Sequence, residues 1–507
     1  MTLLLGLDVG TTSTIGTLID TAGGIRATAS RASELICEHP NWAEEDPAQW
    51  WANVCAIVPE LLATSGAVAS DIAGVGVTGM VPTVILLDED RQPLRRSIQQ
   101  NDARAVDEIE QMKQAIDPDA FFARTGGSIN QQLVAPKLRW LARNEPDSIG
   151  RAKTVLGSYD YITARLTGSL SVERNWALEA GFMDLSSARL DPDLVRLGGI
   201  ALDNLPELSA SHELVGEVTP AAAAETGLAA GTPVAAGCAD HIASAFVAGA
   251  CEDGDLVVKF GGAGDIMLSC SEAMTDPRLF IDFHIVPGLY FTNGCMAASG
   301  SVLNWIVRHL ARAQSQEAEK RGLSVHAFLD GQAQDLPPGA GGLVLLPYFL
   351  GEKTPLHDPH ARGTLVGLGL HHGLAHIWRS ALEAVAFGFR HHLEVFAEMG
   401  LATNRVLACD GGAASDLWIQ TTADVLEQPI QRLLNHPGSS LGAAFVAGVG
   451  VGAFDDWSAI TAYVQPDRVF EPIDANRDAY REAYGVYREL YERLRSLYPR
   501  INELPST

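Results

Sequence analysis

Short apolar runs broken by polar, glycine-rich turns open the chain, and longer segments with apolar residues every three or four positions follow. Residues 3–7 are apolar, Asp8-Val9-Gly10-Thr11-Thr12-Ser13 is a turn-like polar cluster, and 14–19 is β-branched and apolar. Asp20-Thr21-Ala22-Gly23-Gly24 marks a second hairpin turn. Asp46 with Pro47 predicts a helix start and Gln49 a capping box, on a helix carrying Trp50, Trp51, Val54, Ile57 and Leu61. Strands are expected at 74–78 and 83–87, helices at 103–115 and 135–143, and a strand–helix unit at 233–250. Gly, Pro and Ser crowd 167–232, which reads as polar and irregular.

About halfway along, the opening pattern returns: a strand at 255–260, the turn Gly261-Gly262-Ala263-Gly264, and a strand at 265–269. Such a repeat suggests two related α/β domains meeting near 245–255; two unrelated hairpins are the alternative. A long helix at 374–398, a strand at 405–408 ending in Asp410-Gly411-Gly412, and a helix from about Ser440 follow. Tyr480, Tyr484, Tyr487, Tyr491, Leu494 and Tyr498 recur at helical spacing, as on a docked C-terminal helix.

The 507 residues suit two to four domains, and a 47% hydrophobic content supplies a sizeable core. A formal charge of -26 leaves no cationic face with which to release counterions from nucleic acid. Seven scattered cysteines without a C-x-x-C pair argue against a disulfide framework or structural zinc and fit a reduced cytoplasm. No signal peptide and no run of 18 apolar residues is evident, so neither secretion nor a membrane span is expected.

Several segments can carry chemistry. Phosphoryl transfer needs backbone N–H groups and hydroxyls around phosphates, a metal on carboxylates, and a base aimed at the attacking hydroxyl. Asp8 to Ser13 has that makeup, and a plain hairpin turn is the other reading. The 261–264 turn offers N–H donors without a hydroxyl; Gly411-Gly412 can admit a ligand against bare backbone. Asp240 lies between a strand and a helix, where ligands sit in open α/β sheets. There it is a base or simply the helix N-cap. Asn101-Asp102-Ala103-Arg104 suits sugar hydroxyls or a capped, solvated helix start. His372 and His376, four apart beside His371, hint at a metal, but no carboxylate completes the set and His376 fits a helix start. His391 and His392 read as helix surface or satisfied core.

In order along nearly the whole chain, these pieces resemble the FGGY family of carbohydrate kinases. The resemblance runs through Leu7 to Thr12, Asn41-Trp42-Ala43-Glu44-Glu45-Asp46-Pro47, Asn101 to Arg104, Pro136-Lys137-Leu138-Arg139-Trp140-Leu141, Tyr159-Asp160-Tyr161 and Gly237 to Asp240. Its most specific stretch holds Gly363, Leu365, Gly367, Leu368, His376, Ile377, Ser380, Ala381, Leu382 and Glu383.

The resemblance implies an α/β fold of two actin-like (ribonuclease H-like) domains flanking a catalytic cleft: 1–247 for sugar and base, 248–507 for ATP. It implies Asp240 as catalytic base, and Asp8 with Asp240 as Mg²⁺ contacts. Thr11, Thr12, Ser13, Gly262, Gly300, Asn304, Gly411 and Gly412 would lie at ATP and its phosphates. Met80, Asp102, Arg104 and Asp240 would meet the substrate, most simply a pentulose such as xylulose, with another ketose or a polyol as alternatives. Expected partners are that small molecule and, as an open option, a second copy in a homodimer; nucleic acid and membrane are not expected.

The chain also departs from the pattern. Gly262 stands where the second phosphate turn usually has threonine, Val81-Pro82 where xylulokinase-like members carry Met-His, and Gln100 where a tryptophan is usual. These departures motivate a rival reading as a non-catalytic sugar or nucleotide sensor; a filament-forming actin-like ATPase is a further rival.

Overall fold

The structure, a computed structural model, describes residues 2–434, 436 and 438–504. The chain forms two compact units: Met1–Cys251 with Ile281–Tyr290 and Pro437–Tyr463, and Glu252–Phe280 with Phe291–His436 and Val464–Thr507. Two segments from beyond residue 248 thus belong to the first unit.

Alternating apolar residues and tight turns make the first unit's meander. Strands Leu3–Val9, Ser13–Asp20 and Ile25–Ala32 pair antiparallel in sequence. Ile72–Gly79 then lies parallel to Leu3–Val9 on its other edge, and Pro233–Ala235 lies parallel to Ile72–Gly79. The strand expected at 233–239 is interrupted at Ala236-Gly237. Gly237 takes φ +97, and a Cβ there would strike the Val77 carbonyl. The kink lets Cys238–Ala239 resume pairing beside Thr78 and Gly79.

The second unit repeats this plan. Its sheet runs Tyr290–Met296, Gly264–Cys270, Asp255–Phe260, Arg405–Cys409, Ile430–Leu434, Gln465–Phe470. As in the first unit, an antiparallel hairpin is followed by parallel strands and closed by an antiparallel one. The weak sequence repeat is therefore a repeat of topology, in two actin-like α/β units. Phe260, Phe389 and Trp418 pack together in the second core.

The helix Pro47–Ser65 buries Trp50, Trp51, Val54, Ile57 and Leu61 as expected. Asp46 caps it through Ala48 N, but the predicted capping box does not form: Gln49 Oε1 accepts from Glu34 N instead. Residues 167–232 are more ordered than their composition suggested, with helices Arg174–Glu179, Pro192–Leu197 and Pro220–Thr226. Each of these is too short for a periodic signal. The C-terminal helix Arg477–Leu494 buries Tyr480, Tyr484, Tyr487 and Tyr491, whereas Tyr498 is buried at the start of a separate helix, Tyr498–Asn502. The stripe is docked by hydrogen bonds as well as area: Tyr348 donates to Tyr487 Oη at 2.9 Å, and Arg379 donates to Tyr480 Oη at 2.6 Å.

In the first unit the helix Ser439–Gly450 lies directly on the central strands. A Cβ on Gly6 would overlap the Ser440 carbonyl, and one on Gly76 the Ala443 carbonyl. Backbone meets backbone, so a side chain cannot rotate away. Gly76→Ala should lower the unfolding midpoint by several degrees, since overpacking costs about 1–3 kcal/mol. An unchanged calorimetric midpoint would contradict this packing.

Candidate active site

In the first unit the parallel register gathers the candidate carboxylates at one end of the sheet. Thr78 is flanked by Asp8 on one neighbouring strand and Cys238 on the other. With strands about 4.8 Å apart, Asp8 and Cys238 lie roughly 10 Å from each other across Thr78. Asp8 is buried and accepts from Ser439 Oγ at 2.5 Å. Asp240 follows two residues after Cys238. Ala239, not Asp240, is the N-cap of the helix Asp240–Val247; Asp240 is the first helical residue. Its Oδ1 accepts from His241 N at 2.6 Å, and a carboxylate at this position is favoured by the helix dipole.

The Asp8-to-Ser13 segment is a hairpin turn closed by Gly10 N to Ser13 O at 3.0 Å. Thr11 donates to Met80 Sδ at 3.0 Å, Thr12 is exposed and Ser13 is half-buried. Met80 is buried and fixed on both sides, its N–H on Val9 O and its carbonyl on Ser158 Oγ.

Asp102 and Arg104 pair with each other, while Arg104 Nη1 is buried without a hydrogen bond among the described residues. Arg104 donates from Nε and Nη2 to the two Asp102 oxygens at 2.9 and 2.8 Å, and Nη2 also meets Glu44 Oε1 at 2.8 Å. The guanidinium sits 3.9 Å from the Trp42 ring centroid, and both side chains of the pair are fully buried. A bidentate, stacked arginine of this kind is a rigid scaffold. The loop before it is held by Lys137, whose Nζ donates to Gln99 O, Gln100 O and Gln132 O at 2.8, 3.3 and 3.2 Å. Complete burial pulls the Lys137 pKa down to about 7.

A cluster that sequence reading missed stands beside Asp240. His241 Nδ1 is 3.7 Å from Asp240 Oδ1, and its Nε2 is 3.3 Å from Asp282 Oδ2 and 3.9 Å from Glu179 Oε1. Burial opposes charge on His241, but the surrounding carboxylates outweigh it and raise its pKa well above the usual range. Burial, with Asp282 nearby, pushes Glu179 well above the usual carboxylate range. No local motif signals this cluster, because its three residues come from 179, 241 and 282.

In the second unit, the 261–264 turn meets the start of the helix Gly300–Leu310. Gly300 N donates to Gly261 O at 2.9 Å, and Ser299 N and Ser301 N donate to Gly262 O at 2.8 and 3.1 Å. A Cβ on Gly300 would strike Gly261 O, so a side chain is excluded there, whereas a Cβ on Gly262 or on Gly411 would meet nothing within 4 Å. Gly412 is packed against Phe260 and Trp418. Asp410 holds φ +73 and lies 3.9 Å from Lys259 Nζ. Asn304, one turn beyond Gly300, is exposed and pairs with His326 Nε2 at 3.1 Å.

His372, His376 and His392 have structural partners. His372 accepts from Gly369 N and meets Gly341 O, and His376 Nδ1 accepts from Gly373 N at the start of Leu374–Glu398. Both His391 and His392 are buried; His392 bonds Gly388 O and Thr354 Oγ1.

This arrangement can be set beside known proteins. The profile of the FGGY family of carbohydrate kinases, N-terminal domain, matches residues 3–247, and that of the C-terminal domain matches 278–451. The crystal structure of xylulose kinase from Rhodospirillum rubrum superposes with a TM-score of 0.92 at 48% identity, covering 98% of this chain and 99% of that one. The chain belongs to the FGGY family of carbohydrate kinases. It is thus a carbohydrate kinase, and the family's activity takes ATP as phosphoryl donor. It is also 29% identical over 487 residues to a xylulose kinase of Bacillus subtilis (96% of this chain, 95% of that protein), and 27% identical over 485 residues to a gluconokinase of the same organism (94% and 93%). Among the described residues no helix is long and apolar enough to cross a membrane.

The buried lysine gives a pH signature. An unfolded lysine titrates near 10.5 and the folded one near 7, so between these values the unfolded chain binds more protons and stability rises with pH. Lys137→Met lacks this contribution. The stability difference in favour of the parent should therefore grow from pH 7 towards 10.5 in parallel denaturation series; a pH-independent difference would contradict it.

Proposed function

We propose that this kinase transfers the γ-phosphoryl group of ATP to a primary hydroxyl of a pentulose, with xylulose the first candidate. Full-length similarity to proteins named xylulose kinase supports the substrate. The observation that carries the chemistry is Asp240: it ends the central parallel strands, its Oδ1 is fixed by the His241 N–H, and its Oδ2 makes no hydrogen bond among the described residues.

In this reading Asp240 accepts the proton of the substrate hydroxyl as its oxygen bonds to the γ-phosphorus. The bond from that phosphorus to the β,γ-bridging oxygen breaks, and ADP leaves. Asp8 and Asp240 are hard oxygen donors at the same end of the sheet, on either side of Ile72–Gly79, and would hold Mg²⁺ directly or through water, which when bound neutralises phosphate charge. Thr11, Thr12 and Ser13 would contact phosphate. Gly262, Gly300, Asn304, Gly411 and Gly412 would contact the nucleotide, and Gly262 and Gly411 have open space before them. Met80 shapes the sugar side through its fixed backbone. Asp102 and Arg104 border the sugar in this reading: their mutual pair fixes the Gln99-to-Arg104 loop, and Arg104 Nη1 is a buried donor without a hydrogen bond among the described residues.

ADP release should be stimulated by xylulose above other pentuloses, hexuloses, polyols and gluconate in a coupled assay. No stimulation by any of them would remove the reading, and sugar binding without turnover would favour a sensor. Asp240→Asn should lower kcat by about 10²–10⁴-fold while ATP binding persists; near-normal turnover would strip Asp240 of its role.

Gly262 offers a gain-of-contact test. Its φ is not left-handed and its Cβ direction is open, so Gly262→Thr fits without strain. A hydroxyl hydrogen bond of about 0.5–1.5 kcal/mol should lower KM for ATP roughly two- to tenfold. An unchanged KM would place the turn away from the phosphates.

A further inference from the structure

Asp240 is only partly buried, and the backbone N–H of its neighbour fixes one of its oxygens. A base must present its other oxygen to the substrate with little freedom, since about 1 Å of misplacement can cost 10²-fold in rate. What surrounds Asp240 suggests how this freedom is removed. The imidazole of His241 stands against Asp240 Oδ1, and its far nitrogen, Nε2, reaches Asp282 Oδ2 at 3.3 Å. Where Nε2 carries the proton, it donates to that carboxylate. Glu179 Oε1, shielded from solvent and without a hydrogen bond among the described residues, closes the same edge at 3.9 Å.

Asp282 is in turn unusually well placed. It belongs to 281–290, which comes from the second half of the chain but folds with the first unit. Asn175 grips the backbone next to it with two hydrogen bonds, accepting from Phe283 N at 2.7 Å and donating to Phe283 O at 2.9 Å. Asn175 is itself held by the buried Glu173, which accepts its N–H at 2.9 Å and also takes bonds from Tyr159 Oη and Ser211 Oγ. His284 anchors the other side, with Nε2 on Ala250 O at 3.1 Å and Nδ1 accepting from Val286 N at 2.8 Å.

We propose that Asp282 and His241 are positioning residues for the base: Asn175 fixes Asp282, Asp282 fixes the ring of His241, and the ring sets the rotamer of Asp240. The proposal rests on Asp240 being the base. It gives the 281–290 segment a role in sugar phosphorylation that its distance in sequence hides.

The test is a double-mutant cycle on the full-length enzyme with ATP and the best sugar of the panel. Asp282→Asn and His241→Gln should each lower kcat about 10- to 100-fold, while KM for sugar and for ATP stays within about threefold. Unfolding midpoints should match the parent, which a merely structural role would not permit. The double variant should lose no more than the worse single one, because both act through one contact, and Asp282→Glu should recover part of the rate. A parental kcat in either single variant, or losses that multiply in the double, would overturn the proposal. If Asp282→Asn does not fold, His241→Gln alone decides: a parental kcat refutes and the predicted kcat loss at constant KM supports. Asp240→Asn separates the two levels. An inactive Asp240→Asn beside a fully active Asp282→Asn refutes only the positioning, whereas an active Asp240→Asn refutes the base reading beneath it.

Discussion

The parallel pairing of three strands around Thr78 is the constraint on which the first unit's chemistry depends. Leu3–Val9 and Cys238–Ala239 both align with Ile72–Gly79, one on each edge, so Asp8 and the residues just after Cys238 emerge at the same end. Nothing local to Asp8 or Asp240 brings them together; the register does, and a one-residue slip would turn every side chain to the other face. Glycine makes the arrangement feasible twice. Gly237 kinks the chain so that the last strand can resume pairing, and Gly6 and Gly76 let the helix Ser439–Gly450 lie on the sheet at backbone distance.

Around this frame, several buried polar groups are tied to fixed partners. The Asp102–Arg104 pair, the three carbonyls on Lys137, and the chain of bonds from Glu173 through Asn175 to Phe283 all take charge or polarity out of water and satisfy it by fixed partners. Such networks rigidify when complete. Phosphoryl transfer asks for position more than for covalent chemistry, and such fixed loops and strand ends supply position. In the second unit the same economy appears in backbone alone: the Gly261 and Gly262 carbonyls hold the start of the helix Gly300–Leu310.

Much of this was legible in the sequence. The opening hairpin, the long helix Leu374–Glu398 and the tyrosine stripe carry strong periodicity, and the repeat near residue 255 reported a real duplication of topology. Asp8 and Asp240 stood out because carboxylates follow apolar strands, although each also had an ordinary reading that only family-length order displaced. Three things were hidden. Helices within 167–232 are too short to leave a period. Asp102 and Arg104 pair with each other across two residues, a contact that their spacing alone does not announce. The cluster of Glu179, His241 and Asp282 is assembled from three separate segments, so no spacing rule reaches it.

As the proposed base, Asp240 faces the hydroxyl to be phosphorylated. A crystal structure with xylulose and a non-hydrolysable ATP analogue tests it most directly. The terminal hydroxyl of the sugar should lie within hydrogen-bond reach of the Asp240 carboxylate, about 2.6–3.2 Å, and in line with the γ-phosphorus. A sugar whose terminal hydroxyl instead met another carboxylate, with Asp240 turned away, would contradict it.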